Sequence, residues 1–554
     1  MAERGAGNFV HWWFASSNGA VDSLTSRWIF LRALGAIYFS AFYSLLFQVK
    51  GLIGPEGILP AHDYLSAVAQ QYPLAKLWFA PTLFWLSSSS HALMLVSWIG
   101  LAASVVAFAN LWPRLSFFVC FVCFLSFISA ASEFSNYQSD GMLLEAGFIA
   151  LFFAPRGVMP GLGASAPPSR ASLFLLQWEW FRIYFESGIV KLVSGDRQWR
   201  TLTAMDEYYQ NGPLPTWIGW YVEHLPHWFH AASAAGTLVL ELVLVWMLFL
   251  PRRVRLICFF IVTPWEIGVI LTANYTFLNY LVLALGFLLL DDRLLLLLVP
   301  SRYRTAVGSA IAAPETTVQS ERAEQADDQA EPDADQSIRS QVLRTLGGHL
   351  SSIRLAVSAL MLTWIFYNTT VEMLGIPFRG LPLPTLPIAI LEPFRIANQY
   401  GLFAVMTNGR YEIEFQGSND GQNWTAYRFR NKPQALNEAP RIYAPYQPRF
   451  DWNLWFASLG DWRQDQIVTL TEQRLLENDK DVLALFKDNP FPQSPPRFVR
   501  AVLWQYWFTT RDEKREAGNW WQRKYLGLYA PQLTKAPDGR TGVVQWPDEL
   551  PMHN

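Results

Sequence analysis

Long apolar runs separated by polar turns fill most of the first 300 residues and predict a bundle of membrane-spanning helices. A helix needs about 20 apolar residues to cross the hydrocarbon core of a bilayer, and by this criterion the sequence predicts about nine spans. The predicted spans are 27–49, 91–110, 114–132, 141–155, 171–192, 229–250, 255–273, 276–299 and 353–375. The run 141–155 is short, which favours a half-buried or re-entrant helix.

A different pattern follows the last of these runs. Residues 377–393 are punctuated by prolines and predict extended chain, because proline interrupts helices and restricts the residue before it. Residues 411–415 and 424–430 then alternate apolar and polar positions. The turn between them contains Asp-Gly, which predicts a β-hairpin.

Two aromatic runs, 498–508 and 520–529, predict further strands, and residues 471–487 predict one amphipathic helix. The chain is therefore predicted to be a polytopic α-helical membrane bundle followed by a soluble β-rich, sandwich-like C-terminal domain. The predicted divisions are a multi-span domain 1–300, a disordered acidic linker 301–350, a last transmembrane helix 351–376 and the β-rich domain 377–554. The linker core is rich in Ala, Gln, Glu, Asp and Pro and contains no aromatic residue, a composition typical of disorder.

Composition supports the membrane class. Only 16% of the 554 residues are charged, whereas soluble domains average about 25%. The net charge of −2 disfavours a nucleic-acid partner, which would need a basic surface. The cysteines Cys120, Cys123 and Cys258 all lie in apolar runs, so no disulfide framework and no metal site are predicted, and the CxxC is interpreted as two small buried helix residues.

Basic residues predict the orientation of the bundle, because Lys and Arg favour cytoplasmic loops. With the N-terminus in the cytoplasm, one end of the bundle carries Arg114, Arg156, Arg170, Arg252, Arg253, Arg255, Arg302 and Arg304. The opposite end carries loops 50–90, 133–140 and 193–227 and everything after residue 376.

Ionisable residues inside the predicted spans mark a polar membrane cluster, because charges at membrane depth are costly and are usually functional or paired. Glu179, Arg182 and Glu186 lie at i, i+3 and i+7 and share one helix face. The other members are Asp140, Glu145, Glu241 and Glu266, and Lys191 ends the same helix. Two interpretations stay open: a network that holds the helices together, or a polar cavity with Lys191 as a base or ligand anchor.

Two further segments are rich in interaction-prone side chains. In loop 193–227 these are Asp196, Trp199, Arg200, Asp206, Tyr208 and Tyr209, which could cap the bundle at the membrane interface or extend a site. In segment 444–456 they are Arg449, Asp451, Trp452 and Trp455. Arg449 and Asp451 could pair inside a core, or the four could form an exposed client-binding surface, since Trp and Arg are typical hot-spot residues.

Three long motifs resemble one known family. The segments YQSDGMLLEAGFIALFFAP (137–155), FESGIVKLVSGDRQWRTLTAMDEYYQNGPLP (185–215) and APYQPRFDWNLWF (444–456) look like the lipase maturation factors. The resemblance covers about residues 20–300 and 390–530 in the family's order. It implies an endoplasmic-reticulum membrane protein whose lumenal C-terminal domain helps secreted lipases to fold.

The chain departs from the animal members of that family, since its exposed regions contain no cysteine and it ends without a retention signal. With its acidic Ala/Gln linker it looks like a bacterial member. The resemblance then implies an inner-membrane protein with the C-terminal domain in the periplasm, and a secreted client and membrane lipids as partners.

A second, local resemblance concerns the end of the fifth predicted span. Ser187, Gly188, Lys191, Leu192 and Trp199 are similar to the active-site helix of vitamin K-dependent carboxylases. This resemblance implies that Lys191 acts as a base on a quinone or lipid, with Glu186 tuning it. The leading hypothesis is a folding factor without a cofactor, and the alternative is such a membrane enzyme.

Overall fold

The computed structural model describes residues 2–135, 137–298, 334–536 and 539–548. The helices of the first part are α1 Ala2–Phe14, α2 Leu24–Leu46, α3 Val49–Ile53, α4 Ala61–Gln71, α5 Lys76–Phe79, α6 Ser90–Phe108, α7 Pro113–Ala130, α8 Gln138–Phe153, α9 Arg170–Val193, α10 Arg197–Arg200, α11 Tyr208–Asn211, α12 Trp217–Glu223, α13 His227–Leu242, α14 Arg252–Thr272, α15 Leu278–Gly286 and α16 Asp292–Leu298. Short 3₁₀ turns follow several of them, including Leu244–Phe249 after α13 and Phe287–Leu289 after α15.

Six helices among the described residues are long and apolar enough to cross a membrane. They are Leu24–Ile53, Ser90–Phe108, Pro113–Ala130, His227–Phe249, Arg252–Thr272 and His349–Gly375. The other three predicted spans correspond to the 16-residue α8, the 24-residue α9 with its charges, and the shorter apolar segment Leu278–Leu289. The polytopic membrane class is therefore confirmed, with six spans that meet the length and hydropathy criteria.

The second part begins with a single long helix. Helix α17, Ala334–Gly375, starts well before the predicted span at 353, so the end of the predicted linker 301–350 is helical. Residues 301–333 of that linker, with Arg302 and Arg304, lie outside the described residues. The remaining helices are α18 Leu386–Leu391, α19 Arg449–Ala457, α20 Gln466–Glu477, α21 Lys480–Leu483 and α22 Arg511–Ala517.

Two local predictions were wrong for identifiable reasons. Segment 377–393 contains helix α18, because Pro387 lies in its first turn, where proline is tolerated. The predicted helix 471–487 is two helices. Asn478 adopts a left-handed conformation (φ 55°) that ends α20. Asp479 then accepts hydrogen bonds from the backbone N–H groups of Asp481 and Val482 (both 2.9 Å) and starts α21.

The strands are β1 Arg410–Ser418, β2 Thr425–Ala426, β3 Phe498–Phe508, β4 Trp521–Leu528, β5 Gln532–Lys535 and β6 Thr541–Gln545. They form one antiparallel sheet in the order β2-β1-β3-β5-β6, and β4 also pairs with β3. The hairpin prediction is confirmed by the β1–β2 pairing, as is the β-rich class. The described strands form a single sheet with α20 against it, rather than two facing sheets.

The sheet region packs on one end of the bundle and contacts every loop that was predicted to lie there. Arg474 Nε donates to Gly57 O (3.0 Å) and Gln466 Nε2 donates to Glu133 Oε1 (3.3 Å). Arg410 Nη1 donates to Gln210 O (2.9 Å). These contacts bring loops 50–90, 133–140 and 193–227 to the same end as the C-terminal region.

The opposite end of the bundle is rich in arginine. Arg114 Nε donates to Ala154 O (2.8 Å), Arg170 Nε donates to Asn18 O (3.1 Å), and Arg252 pairs with Asp291. The loop arginines Arg114, Arg170 and Arg252 thus lie at the end away from the sheet region, in agreement with the charge asymmetry of the loops read from the sequence.

Candidate functional site where the bundle meets the sheet region

A docking cluster lies midway along α9. It consists of Glu145, Arg182, Glu186, Asn398 and Tyr400. Arg182 pairs with Glu145, and its Nη1 lies 3.7 Å from Glu186 Oε1. Arg182, Glu145 and Glu186 are each at most 1% exposed, so their charges are balanced within the protein rather than by water.

The chain that follows α18 supplies the remaining partners of this cluster. We call residues 396–403 the docking segment. Arg182 Nη1 donates to Asn398 O (2.6 Å), the Asn398 N–H donates to Glu145 Oε2 (3.1 Å), and the Tyr400 N–H donates to Glu186 Oε2 (2.5 Å). The Tyr400 hydroxyl also donates to Glu145 Oε2 (2.9 Å). Glu179, on the same helix face, is buried beside this cluster without an ion pair among the described residues.

A second group lies at the end of α9. We call Lys191, Glu241, Glu266 and Asn279 the cavity cluster. Lys191 Nζ donates to both carboxylate oxygens of Glu241 (2.9 Å each), to Leu402 O (3.1 Å) and to Ser187 O (3.3 Å). The carboxylate that contacts Lys191 is therefore Glu241 and not Glu186, which the carboxylase resemblance suggested as the tuning group. The reason is that Glu186 is occupied by Arg182 and the docking segment.

A cavity of about 300 Å³ adjoins this cluster. Its walls are the apolar and aromatic side chains of α9, α13, α14 and α15, and the loop after α9 closes one end. The Tyr184 hydroxyl donates to Glu266 Oε2 (2.6 Å), and Asn279 lies beside the same carboxyl group. Polar groups thus converge at one end of a mostly apolar space, which is the composition of a small-molecule pocket.

The loop motif caps the bundle against the sheet region. Asp196 accepts hydrogen bonds from the backbone N–H groups of Gln198 (2.8 Å) and Met406 (2.6 Å), and Trp199 Nε1 donates to Phe403 O (2.9 Å). Asp206 pairs with His227 (2.9 Å). Of the other predicted members, Tyr209 is buried, Tyr208 is half-buried and Arg200 is exposed.

Segment 444–456 forms helix α19, which sequence reasoning did not predict, and it faces the bundle. Arg449 donates from both terminal nitrogens to Asp140 (2.7 Å each) and from Nη1 to Phe134 O (2.7 Å). Asp451 instead accepts from Asn431 Nδ2 (2.9 Å), and burial raises the pKa of Asp451. The expected Arg449–Asp451 pair is therefore wrong, because Arg449 reaches across to the membrane domain.

The two tryptophans of this segment are also internal. The Trp452 ring lies against Tyr137 (6.1 Å between centroids) and Tyr275 (6.2 Å), and Trp455 Nε1 donates to Asn211 O (3.0 Å). Both are 8% exposed. The expected exposed surface of Arg449, Asp451, Trp452 and Trp455 is thus wrong, since all four are buried and Arg449, Trp452 and Trp455 contact the bundle.

Several junction residues were missed by the sequence analysis. Arg410 at the start of β1 is fully buried, pairs with Glu412 and donates to the carbonyls of Gln210 (2.9 Å) and Pro213 (3.1 Å). Asn274 accepts from the Tyr443 and Ala444 N–H groups at 2.7 and 3.1 Å. An alternating strand pattern does not distinguish a buried arginine from an exposed one, so the sequence held no signal for Arg410.

The fold and the junction define a polytopic membrane protein whose β-rich C-terminal region is fixed to one end of the bundle by buried ion pairs. The family model for the lipase maturation factor transmembrane domain matches residues 25–297, and that for the lipase maturation factor C-terminal domain matches residues 396–531. The chain belongs to the lipase maturation factor family.

Relatives with curated descriptions match nearly the whole chain. Lipase maturation factor 2 of Gallus gallus is 32% identical over 95% of this chain and 84% of its own length. Lipase maturation factor 2 of Homo sapiens is 31% identical over 92% and 82%, and lipase maturation factor 1 of Bos taurus is 29% identical over 94% and 91%. No solved structure matches the chain. The predicted family is confirmed, and none of these matches supports the carboxylase alternative.

Proposed function

We propose that this protein is a membrane-anchored maturation factor for secreted lipases. The observation that carries the proposal is the match of both family domains, in order, to a chain whose two domains are locked together. A rigid junction suits this task, since it holds a client-binding sheet at a fixed distance from the membrane where secreted chains emerge.

The contacts of Lys191 favour this function over catalysis in the bundle. An ammonium group has three N–H donors, and four acceptor atoms already surround Lys191 Nζ. A general base must be free to take a proton from a substrate. The hydrogen-bonding capacity of Lys191 Nζ is already filled, so its contribution is to position Leu402 and Glu241.

The C-terminal region lies on the non-cytoplasmic side in this proposal, which is the periplasm for a bacterial chain. The arginine-rich end would then face the cytoplasm. All three native cysteines are buried, so single introduced cysteines can report the sidedness. A membrane-impermeant maleimide should label Val544→Cys in intact cells and label Val158→Cys only after permeabilisation. The reverse pattern would contradict the orientation.

The client-binding surface is assigned to the edge strand β6. Among the described strands, β6 has a neighbour on one side only, β5. Val543, Val544 and Trp546 are exposed there (43%, 49% and 61%). An exposed apolar edge strand offers unpaired backbone groups and apolar contacts to an incompletely folded partner.

The test is a secretion assay for a lipase encoded in the same genome, expressed alone, with this protein, and with its variants at equal membrane levels. We expect wild type to raise the specific activity of the secreted lipase, and Val544→Asp to remove most of that gain. The matched control is Val21→Asp, another exposed valine placed at the arginine-rich end.

Each outcome of this assay bears on a different part of the proposal. No gain with wild type would overturn the lipase client. A gain that survives Val544→Asp would overturn β6 as the binding surface while leaving the maturation function in place.

A further inference from the structure

We propose that the cavity beside Lys191 binds a single-chain membrane amphiphile with a neutral hydroxyl head, of the monoacylglycerol class. The proposal is independent of the client, because it concerns the space inside the bundle. It rests on the position of the cavity, on its walls and on the polar atoms that converge at one end.

The position of the cavity points to the bilayer as the source of the ligand. Helices α13 and α14 form two of its walls, and only 28% and 22% of the apolar stretches of these spans is buried. Their outer faces are therefore available to lipid. Gly268 of α14 lines the cavity and is exposed, so the space opens between these helices toward the membrane.

The size of the cavity favours one acyl chain rather than two. Ligand pockets range from about 300 to 1,000 Å³, and this cavity of about 300 Å³ lies at the lower limit. Its walls include Ile183, Val269 and Val282, which suit an aliphatic chain. A two-chain phospholipid would leave much of its apolar surface outside.

The polar end of the cavity around Glu241, Glu266 and Asn279 is rich in acceptors. Lys191 is saturated by its four acceptors, and the Tyr184 hydroxyl is used by Glu266. Asn279 is 6% exposed, and its Oδ1 has no hydrogen-bond partner within the described parts of the chain. A buried unpaired acceptor costs free energy, so a ligand that donates a hydrogen bond to it would be stabilised.

The charge of the head group decides among such ligands. A carboxylate or phosphate head would face the Glu266 and Glu241 carboxyl groups, which disfavours an anion. An ammonium head would meet the Lys191 charge at the same end. A neutral hydroxyl head can donate to Asn279 Oδ1 and to the Glu266 carboxyl group without either penalty. The Tyr275 hydroxyl also lines the cavity without a hydrogen-bond partner among the described residues, and a neutral hydroxyl head can accept from it.

The experiment measures equilibrium binding of radiolabelled monooleoylglycerol to the purified full chain in detergent, with unlabelled oleate and oleylamine as competitors. We expect saturable binding of one molecule per chain. Oleate and oleylamine should compete only at concentrations at least tenfold higher than unlabelled monooleoylglycerol.

Two variants locate the binding. Gly268→Phe should weaken binding at least tenfold, because a Cβ there meets no atom within 4 Å and the added ring would lie at the opening of the cavity. Asn279→Leu should weaken it similarly by removing the acceptor. The matched control is Gly375→Phe, since a Cβ at Gly375 also meets no atom within 4 Å and this glycine does not line the cavity.

Three results would overturn the proposal. They are an absence of saturable binding, an affinity that Gly268→Phe leaves unchanged, and competition by oleate or oleylamine as strong as that by monooleoylglycerol. Elution of each variant as a single species in size-exclusion chromatography ensures that lost binding is not lost folding.

Discussion

Two polar clusters lie along helix α9, and they differ in what occupies the space between their charges. In the docking cluster, the backbone and side chains of residues 396–403 complete the hydrogen bonding of Glu145, Arg182 and Glu186. In the cavity cluster, Lys191 and Glu241 pair directly and an open space remains beside Glu266. Charged residues of one helix therefore have two roles. Arg182 and Glu186 fix the docking segment to the bundle, whereas Lys191 lines a pocket.

The largest expected effect follows removal of the central cation of the docking cluster. Arg182→Met leaves Glu145 and Glu186 buried without a cationic partner and should lower the free energy of unfolding by about 3–5 kcal/mol. Thermal unfolding of the detergent-purified protein measures the loss. The control is Arg252→Met, whose side chain is 43% exposed in its pair with Asp291 and whose loss should cost much less, because exposed ion pairs contribute little to stability. Equal losses would contradict the role assigned to the cluster.

A double substitution made in each cluster should show a second difference in stability between them. Lys191→Met alone leaves Glu241 unpaired, and adding Glu241→Met should restore most of the lost stability, because two apolar residues can replace a buried ion pair. Arg182→Met with Glu145→Met should not recover, since Glu186 still lacks a cation and the Asn398 N–H and Tyr400 hydroxyl lose their acceptor. Thermal unfolding of both double variants tests this difference. Recovery of stability in both would contradict the different roles assigned to the two clusters.

Replacing either Asn398 or Asn279 by leucine should give a smaller difference in the free energy of unfolding. Asn398 Nδ2 donates to Gly141 O (3.0 Å) and Glu145 Oε2 (3.2 Å), so Asn398→Leu should cost about 1–3 kcal/mol. Asn279→Leu should cost less, because its Oδ1 forms no hydrogen bond with the described residues and only its amide nitrogen lies beside a partner, the Glu266 carboxyl group. Chemical unfolding of both variants under identical detergent conditions provides the comparison, and a greater loss at Asn279 would contradict it.

The smallest expected effect concerns a buried carboxyl group outside the membrane. Glu472 lies in α20 under the sheet, and burial raises its pKa well above the usual range. The folded-state pKa lies above the unfolded value near 4.3, so the free energy of unfolding falls as pH rises from the unfolded-state pKa to the folded-state pKa. Glu472→Gln, which stays neutral, should therefore stabilise the protein modestly at pH 7. The gain should disappear below about pH 4 in unfolding measured across pH, and a gain that does not depend on pH would argue against this account.

Sequence patterns predicted the parts of this fold that depend on interactions between residues close in the chain. The apolar runs, strand β3 and the hairpin after Arg410 depend on periodicity and turn residues, and they were located closely. The polar membrane cluster was also recognised, because charges in apolar runs stand out. The pairing within it depends on the fold: Arg449 meets Asp140 across 309 positions and Lys191 meets Glu241 across 50, distances at which a single sequence carries no information on contact.

Segment 444–456 shows the same limit most plainly. Its Trp and Arg content is typical both of an exposed binding surface and of a buried joint, and composition alone does not choose between them. The structure decides through Asp140 and Tyr137, which lie in a different domain.

The docking segment has a consequence for biosynthesis. Residues 396–403 leave the ribosome only after all the helices they bind have been made and inserted. Until then Glu145, Glu186 and Lys191 lack partners that the finished protein provides. The bundle is therefore expected to mature only after the last span has been inserted, and a nascent chain truncated before residue 396 should be recognised by membrane quality-control proteases as incomplete.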